Sequence, residues 1–406
     1  MRAFAVARAV RGIEPLLAAE IMKLGVVRRL RHREVWFEAP GTGTDLLGLR
    51  TADDVLLAAA VVDGVGAGRG ALERLRRAAG NADAGAALAL RRTARAPGDG
   101  GRPVEVSATF VGRRSYSRFD VEDAVGAGLS RALGVPYHSR AGGVAPPPGA
   151  VPWRVTIEDD QAVIAVRLGE RPLHRRPYKE DSIPGTLHPP LAAAMAALAG
   201  LPEAGHAETG PTQARLTGAG LTEAGLTGTG LTETGLTGTD LAAAGPDRGH
   251  GAGPDRGHGA GPVVLDPCCG AGTTLVEAGL LAPRARLAGI DRSPASVRAA
   301  AANARRAGVP LTLVVGDAGR LPVPSGSVDR VLVNPPWGRQ VAAAGLLARD
   351  GGLLWREVRR VLAPGGLVVA LTEDVPDGFR VERAIEVSLS GRHPLLAVLH
   401  PARRRH

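Results

Sequence analysis

The sequence has very little cysteine, and it lacks long apolar runs. Its 406 residues include two cysteines, which are neighbours at Cys268 and Cys269. Such a pair cannot build a disulfide framework, which excludes a small disulfide-stabilised secreted domain. No apolar run approaches the roughly 20 residues that a membrane-spanning helix needs. Arg2, Arg8 and Arg11 interrupt the apolar start that a signal peptide requires. We therefore expect a cytoplasmic protein without a membrane partner.

Lysine is almost absent, yet the chain is basic. It carries 50 Lys+Arg against 40 Asp+Glu, a formal charge of +10, and Lys23 and Lys179 are its two lysines. A composition rich in Ala, Gly, Pro and Arg accounts for part of this excess. Its distribution is more informative, because residues 1–200 and 263–406 are basic whereas residues 201–262 hold 7 acidic and 3 basic side chains. Two basic regions on either side of an acidic segment favour a polyanionic partner.

Residues 202–262 are of low complexity. A five-residue unit of the type Leu-Thr-Gly-Thr-Gly recurs from Leu216 to Asp240, and an eight-residue unit that begins Gly-Pro-Asp-Arg-Gly-His occurs twice after it. Such Gly- and Thr-rich sequence buries too little apolar surface to offset the cost of ordering, which predicts a flexible insertion. A small β-solenoid is the alternative, but one Leu per repeat makes a poor core. We interpret His250 and His258 as solvated residues and expect no metal site.

After this segment, apolar strands alternate with helical stretches, as in a doubly wound parallel sheet. The predicted strands are 263–265, 287–290, 311–315, 328–333, 367–371 and 395–399. Helices are predicted at 273–281, 296–307 and 353–362, the last one ending before Pro364-Gly365-Gly366. Before residue 200 the pattern is mixed α+β. Helices are expected at 11–24 and 121–133, strands at 34–38 and 104–110, and a hairpin of 153–157 with 162–166.

Four motifs follow the predicted strands of the C-terminal region. Asp266-Pro-Cys-Cys-Gly-Ala-Gly-Thr-Thr274 lies between a strand and a helix, where glycines let the backbone approach a ligand closely. Gly289-Ile-Asp291 ends the next strand with a carboxylate that suits the two ribose hydroxyls of a nucleoside. Gly316-Asp-Ala318 offers an acceptor for an adenine amino group, and the sequence Asn334-Pro-Pro-Trp337 follows a further strand. In order and spacing these motifs predict one nucleoside-binding site.

The Gly-rich turn alone would also suit a domain that binds NAD or FAD. It lacks the third glycine of the dinucleotide pattern, however, and begins with Asp266, whose carboxylate suits a cationic sulfonium and ammonium better than a pyrophosphate. The Asn334–Trp337 motif has no use in a dehydrogenase, whereas an amine methyltransferase needs it. The combination favours S-adenosylmethionine as the cofactor.

The Asn334–Trp337 motif suits methylation of an exocyclic amine. The side-chain oxygen of Asn334 and the carbonyl of Pro335 are two acceptors for the amine hydrogens, and they would hold the nitrogen in line for attack. The prolines preset the carbonyl direction. Trp337 would stack on a base swung out of its helix, a contact worth roughly 1–3 kcal/mol. A plain Asn-Pro turn with a buried tryptophan is the alternative interpretation.

The four motifs resemble those of class I methyltransferases that act on amino groups of nucleic-acid bases. Further runs resemble the THUMP-domain RNA methyltransferases, and these are 11–17 (RGIEPLL), 113–118 (RRSYSR), 172–178 (PLHRRPY) and 184–192 (PGTLHPPLA). The resemblance implies an α/β fold, with a C-terminal Rossmann-like class I methyltransferase sheet and an N-terminal α+β THUMP-containing domain. It implies an RNA-binding region at 1–175, a connecting segment with a cofactor-covering helix at 176–201, the insertion at 202–262 and the catalytic domain at 263–406.

The motifs and the resemblance together define the expected site residues. Catalysis is assigned to Asn334, Pro335 and Trp337. Cofactor binding is assigned to Thr186, Asp266, Cys269, Gly270, Gly272, Thr273, Asp291, Arg292, Asp317, Ala318 and Asn334. RNA phosphates are assigned to Arg113, Arg114, Arg175 and Arg176, for which solvated surface arginine is the alternative. The chain departs from the family at Trp337, where Tyr or Phe is usual, at Cys268-Cys269, and in its long insertion.

The resulting hypothesis is a monomeric enzyme that methylates the N2 amine of a guanosine in tRNA with S-adenosylmethionine. Ribosomal RNA is the nearest alternative substrate. Methylation of DNA adenine or of a protein glutamine uses the same Asn-Pro-Pro chemistry, but the THUMP-like half argues against both. A non-catalytic RNA-binding protein with a decayed methyltransferase domain is the alternative of a different class. Against it, all four motifs keep their polar residues.

Overall fold

The computed structural model describes residues 4–94, 101–202, 261–336, 341–389 and 391–402. Trp337 and nearly all of the low-complexity segment therefore lie outside the described residues. The chain divides into two compact units. The first comprises Met1–Ala9 with Leu17–Leu173, and the second comprises Val10–Leu16 with His174–His406.

The first unit is built on an eight-stranded sheet with the order β2-β3-β1-β4-β8-β7-β5-β6. Its strands are β1 Phe4–Arg8, β2 Val26–Arg31, β3 Glu34–Glu38, β4 Asp54–Val62, β5 Val104–Phe110, β6 Tyr137–His138, β7 Val151–Glu158 and β8 Gln161–Arg167. Neighbouring strands are antiparallel except β5, which is parallel to β6 and β7. Its helices are the C-terminal part of α1 Glu14–Ile21, a 3-10 helix Asp45–Gly48, α2 Gly70–Gly80, α3 Ala84–Thr93 and α4 Arg118–Leu133.

Local sequence explains where these elements begin and end. Helix α4 starts three residues before the predicted position, because Ser117 and Asp120 form a reciprocal capping box. The helix ends at Gly134, which has φ +65°. The predicted hairpin is present as β7 and β8, with Glu158 paired to Gln161 across the turn. The first helix is shorter than predicted: it spans Glu14–Ile21, whereas the prediction was 11–24.

The second unit is built on a seven-stranded sheet with the order β11-β10-β9-β12-β13-β15-β14. Its strands are β9 Val263–Asp266, β10 Arg286–Asp291, β11 Thr312–Val315, β12 Val328–Val333, β13 Leu362–Thr372, β14 Phe379–Glu386 and β15 Leu395–Pro401. The first five are parallel, and β15 is antiparallel to both of its neighbours. The helices are α5 Pro189–Leu198, α6 Thr273–Leu281, α7 Pro294–Ala307, α8 Leu346–Arg349 and α9 Gly352–Val361. This is the predicted Rossmann-like sheet.

The start of strand β13 differs from its prediction. Strand β13 pairs from Leu362 and not from Leu367, so Pro364–Gly366 lie within the strand. The pairing with β12 shifts from Val328↔Leu362 to Arg330↔Leu367, so β13 has extra residues between these two pairs, and they form a bulge. Pro364-Gly365-Gly366 thus bends a strand, while α9 ends at Val361 before it.

The core of this sheet contains the buried side chains of its central strands and of α9. Leu265 and Val331 from neighbouring strands pack with Leu354, Val358 and Val361 from the helix, and all five are at most 3% exposed. This core fixes the parallel strands, and their carboxyl ends therefore form a rigid edge. Among the described helices, none has the length and apolarity that crossing a membrane would take.

Candidate active site

Three carboxylates lie at one edge of the second sheet. Asp266 ends β9, Asp291 ends β10, and Asp317 comes two residues after the end of β11. These strands are neighbours and parallel, so their carboxyl ends lie side by side. A ligand-binding crevice is expected at this edge of an open α/β sheet. The structure thus brings together the three acidic residues that the motifs singled out.

The Gly-rich turn after β9 depends on one close approach. Gly272 has φ +76°, and a Cβ added there would lie 2.9 Å from the Cβ of Ala300 in α7. A side chain at this position would therefore strain the backbone and push α7 away. The turn is held from β10, because the Gly270 N–H donates to the Asp291 carboxylate at 2.9 Å. Asp291 also accepts from the Ser293 N–H at 2.8 Å, so one carboxylate holds the turn after β9 and the start of the loop after β10.

The Thr273 hydroxyl provides a direct test of ligand fit. Its Oγ1 is buried at the start of α6 and has no hydrogen-bond partner within the described structure. A buried polar atom normally has a partner, and at a helix N-terminus next to a glycine turn a bound ligand can supply it. The three carboxylates, the open glycine backbone and this hydroxyl fit the amino acid and nucleoside groups of S-adenosylmethionine.

Asp266 is the most buried of the three acids, at 1% exposure. Burial, and to a smaller extent the neighbouring Asp291 carboxylate, raise the pKa of Asp266 to about 7. The backbone N–H of Cys268, which donates at 3.0 Å, and the side chain of Thr274 oppose that rise. A carboxyl whose ionised form is costly gains most from a nearby cation. The site is therefore suited to the charged end of a cationic ligand.

The two cysteines are loop residues of this turn. Burial, followed by the charges of Asp266 and Asp291, raises the pKa of both Cys268 and Cys269 above the usual range of a thiol. They consequently stay protonated at neutral pH and are poor nucleophiles. Cys269 is 5% exposed, and its N–H donates to the Ile290 carbonyl at 2.9 Å.

Asp317 organises the opposite side of the site. Its carboxylate accepts from the N–H groups of Gly319 at 2.8 Å and Leu346 at 3.0 Å. Ala318 beside it is buried, and the exposed Arg292 guanidinium lies 3.9 Å from the carboxylate. The contact with Leu346 joins the segment after β12 to the end of β11, and sequence spacing did not indicate it.

Asn334 and Pro335 follow β12 directly and are half-buried. Strand β12 pairs with β9, with Val331 opposite Leu265. The Asn334–Trp337 motif therefore starts at the same edge as Asp266. Trp337 lies outside the described residues.

A segment that precedes α5 lies against the glycine turn. The Thr186 hydroxyl donates to the Ile183 carbonyl at 2.5 Å and accepts from the Ile183 N–H at 2.9 Å. The Ile183 side chain packs near Gly270, where an added Cβ would be 3.5 Å from its Cδ1. Thr186 thus shapes the turn that places Ile183 beside the predicted cofactor loop.

Asn303 ties this segment to the turn, and sequence reasoning missed it. Its amide nitrogen donates to the Asp181 carbonyl at 2.9 Å and to the Ala271 carbonyl at 3.0 Å. Its side-chain oxygen accepts from the Asp181 N–H at 3.2 Å. The residue is fully buried. A lone asparagine within the alanine-rich helix α7 was the available signal.

The four predicted phosphate-binding arginines differ in their surroundings. Arg113 and Arg175 are exposed. The Arg114 guanidinium is bound within the first unit, donating to the carbonyls of Val65 at 2.8 Å and Asp159 at 2.6 Å. For Arg176 the prediction of a phosphate contact is corrected, because its guanidinium is 5% exposed and pairs with Glu277 at 3.0 Å.

The chain is similar to known methyltransferases in sequence and in structure. Residues 257–386 match the family described as RMKL-like, methyltransferase domain. The chain is 28% identical over 408 residues to a tRNA (guanine(6)-N2)-methyltransferase of Thermus thermophilus, covering 96% of each chain. The crystal structure of TrmN from Thermus thermophilus superimposes with a TM-score of 0.65 at 26% identity, covering 98% of this chain and 100% of that one.

A second kind of relative matches the catalytic region alone. The U6 snRNA (guanine-N(2))-methyltransferase THUMPD2 of Bos taurus is 37% identical over 114 residues, which is 28% of this chain and 22% of that protein. The similarity to the Thermus protein therefore spans both units, whereas the similarity to the snRNA enzyme covers about a quarter of the chain.

Proposed function

We propose that the chain methylates the exocyclic N2 amine of a guanosine in tRNA with S-adenosylmethionine, and its similarity over 96% of its length to a tRNA (guanine(6)-N2)-methyltransferase supports this function. The observation that carries this proposal is the alignment of four polar strand ends along one sheet edge. Asp317, Asp291 and Asp266 follow β11, β10 and β9, and Asn334 follows β12 as the next strand of the sheet. The order of the sheet thus supports the assignment of an amine acceptor beside a nucleoside-binding crevice.

We assign the cofactor to the groups that line this edge. Asp266 would face the cationic end, while Gly270, Gly272, Thr273 and Cys269 would form the turn that backs it. Asp291 would bind the ribose hydroxyls, with Arg292 beside it, and Asp317 with Ala318 would hold the adenine. Thr186 would shape the covering segment. When bound, S-adenosylmethionine supplies an electrophilic methyl group on a sulfonium.

Asn334 and Pro335 position the nucleophile. A guanine N2 amine is weakly nucleophilic, since its lone pair is delocalised into the ring. The Asn334 side-chain oxygen and the Pro335 carbonyl accept one hydrogen each and favour the pyramidal form of the nitrogen. Trp337 would stack on the base. No strong general base is needed, because the amine proton becomes acidic once the methyl group has transferred.

We assign RNA binding to the first unit, as a THUMP-containing region, and to the exposed Arg113 and Arg175. Exposed guanidinium groups bind phosphate oxygens without reading sequence. The expected location is the cytoplasm. Full-length similarity to a tRNA enzyme favours tRNA over the alternative of rRNA.

The variant Asn334→Ala tests the assignment. The substitution removes the side-chain acceptor but no group assigned to the ribose or the adenine. The affinity for the cofactor is therefore expected to change less than threefold, which is a change in binding free energy of about RT. Turnover is expected to fall by roughly 10²–10³-fold, as for loss of one oriented hydrogen-bonding group in an active site. Isothermal titration gives the first quantity and label transfer to tRNA gives the second. Unchanged turnover would refute the role of Asn334.

A further inference from the structure

The eight-stranded sheet of the first unit is strongly curved. The Arg8 guanidinium on β1 lies 2.9 Å from the Glu34 carboxylate on β3 and 3.4 Å from the Thr156 hydroxyl on β7. Strands β4 and β8 separate β1 from β7 in the sheet. In a flat sheet these strands would be roughly 14 Å apart, beyond the span of one hydrogen bond from an arginine that also binds Glu34. The sheet therefore folds over this face and makes it concave.

The concave face has an apolar floor and an arginine rim. Val6, Trp36, Leu56, Val163 and Ala165 form a small buried cluster on it. Cross-strand pairing puts arginines on the same face, since Arg8 lies opposite Glu34, Arg167 opposite Leu56, and Arg154 opposite Ala165. The Arg31 guanidinium stacks on Trp36 at 5.0 Å.

Most charges on this face satisfy one another. The Arg8 guanidinium binds Glu34, and the Arg167 guanidinium donates to Asp54 at 2.8 Å. Arg140 lies 3.7 Å from Glu105. These carboxylates are thus already engaged by other arginines.

Arg154 is the exception. It is half-buried on β7, and within the described parts of the chain its guanidinium makes no hydrogen bond and no ion pair. Burial, and then the charges of Arg167, Arg8 and Arg140, lower the pKa of Arg154, while Asp54 opposes them. A guanidinium has five N–H donors, and those of Arg154, which is half-buried among like charges, are available to an anion.

The chemistry of this position specifies its ligand. A partly buried, planar fork of donors matches two oxygens of one anion, and arginine binds both carboxylate and phosphate in this way. The proposed RNA substrate supplies phosphate. The local charge is positive, since three arginines and one already paired carboxylate act on Arg154. We propose that the concave face of the first unit binds the phosphodiester backbone of the substrate RNA, with Arg154 as the direct phosphate ligand. This inference rests on the proposed RNA substrate and adds the surface that holds it.

The test compares Arg154→Met with Arg92→Met as its matched control. Arg92 is exposed in the last turn of α3, so both variants lose one charge. Binding of fluorescent tRNA is measured by anisotropy at several salt concentrations. We expect Arg154→Met to weaken binding by roughly 5–20-fold and to reduce the salt slope by about 0.7–0.9, the value for one phosphate contact. Arg92→Met should match wild type.

Each other outcome is decisive. A wild-type protein that binds no RNA would overturn the proposed substrate and this surface together. Wild-type binding that Arg154→Met leaves unchanged would overturn the surface alone. Weaker binding with an unchanged salt slope would assign Arg154 to folding, because a partly unfolded sample loses amplitude without changing the slope. Arg154→Lys should keep the slope and lose part of the affinity, since it retains the charge without the fork.

Discussion

The Arg176 guanidinium donates from Nε to the Glu277 carboxylate at 3.0 Å, and the two side chains are 5% and 0% exposed. The Tyr178 hydroxyl donates to the same oxygen at 2.8 Å. The segment before α5 is thereby joined to the middle of α6, the helix that starts at the cofactor turn. A buried pair of this kind has stabilising value only while both partners remain.

Removing one partner of this pair should therefore lower the unfolding free energy strongly. Glu277→Ala removes the carboxylate that pairs with a buried guanidinium and is expected to cost about 3–5 kcal/mol of unfolding free energy. The exposed pair of Arg356 with Asp350 is the matched control, and Arg356→Ala should leave the unfolding free energy nearly unchanged, because solvent screens exposed ion pairs. Urea unfolding followed by tryptophan fluorescence measures both. Equal losses for the two variants would contradict a buried, structural pair.

The backbone of the cofactor turn gives a second prediction. Gly272→Ala places a Cβ 2.9 Å from the Cβ of Ala300, on a backbone with φ +76°. The variant should lower the unfolding free energy by about 1–3 kcal/mol and weaken S-adenosylmethionine binding at least tenfold. Gly308 also has a positive φ, +67°, but faces open space. Gly308→Ala should lower the unfolding free energy by roughly 1–2 kcal/mol and leave the affinity for the cofactor unchanged. Isothermal titration distinguishes them, and normal binding by Gly272→Ala would refute the role of the turn.

The raised pKa of Asp266 makes stability depend on pH. Its folded pKa of about 7 exceeds the unfolded value of roughly 3.9, so its contribution is fully present below the unfolded pKa and is lost as the pH rises through about 7. The stability of the free protein relative to Asp266→Asn should fall by about 2–3 kcal/mol between pH 5 and pH 8. Urea unfolding at both pH values checks this. A pH-independent difference would show that the carboxyl ionises normally.

Cofactor affinity should change in the opposite direction. A cation beside Asp266 needs the ionised carboxylate, so S-adenosylmethionine should bind about tenfold more tightly at pH 8 than at pH 6. Asp266→Asn should remove this dependence. Titration calorimetry across the range is the measurement, and a flat wild-type profile would place the cation elsewhere.

The sequence predicted the second sheet well because its strands are short apolar runs bounded by glycine, proline and acidic residues. Helix Thr273–Leu281 and strand Val328–Val333 have their predicted bounds. Strand β14, Phe379–Glu386, was not predicted, because most of its side chains are exposed and its pattern resembles a polar loop. Strand β4, Asp54–Val62, is rich in Ala and Leu, whose spacing does not separate a strand from a helix.

Charge alone could not reveal burial. Arg175 and Arg176 are neighbours of the same type, yet the first is exposed and the second is enclosed with Glu277, which lies 101 residues further along the chain. The acidic partner belongs to an apolar helix, and its inward direction depends on tertiary packing. The motif residues are different, since a carboxylate at the end of each parallel strand is placed by the sheet itself.

A methyl-transfer assay with the purified protein tests the proposed reaction and its substrate together. Labelled S-adenosylmethionine is offered with bulk tRNA, rRNA and DNA separately, and the products are digested to nucleosides for mass analysis. We expect N2-methylguanosine in tRNA, and its loss with Asn334→Ala. Label in rRNA or DNA with none in tRNA would contradict the proposed substrate, and S-adenosylmethionine binding without transfer to any of the three would contradict the proposed reaction.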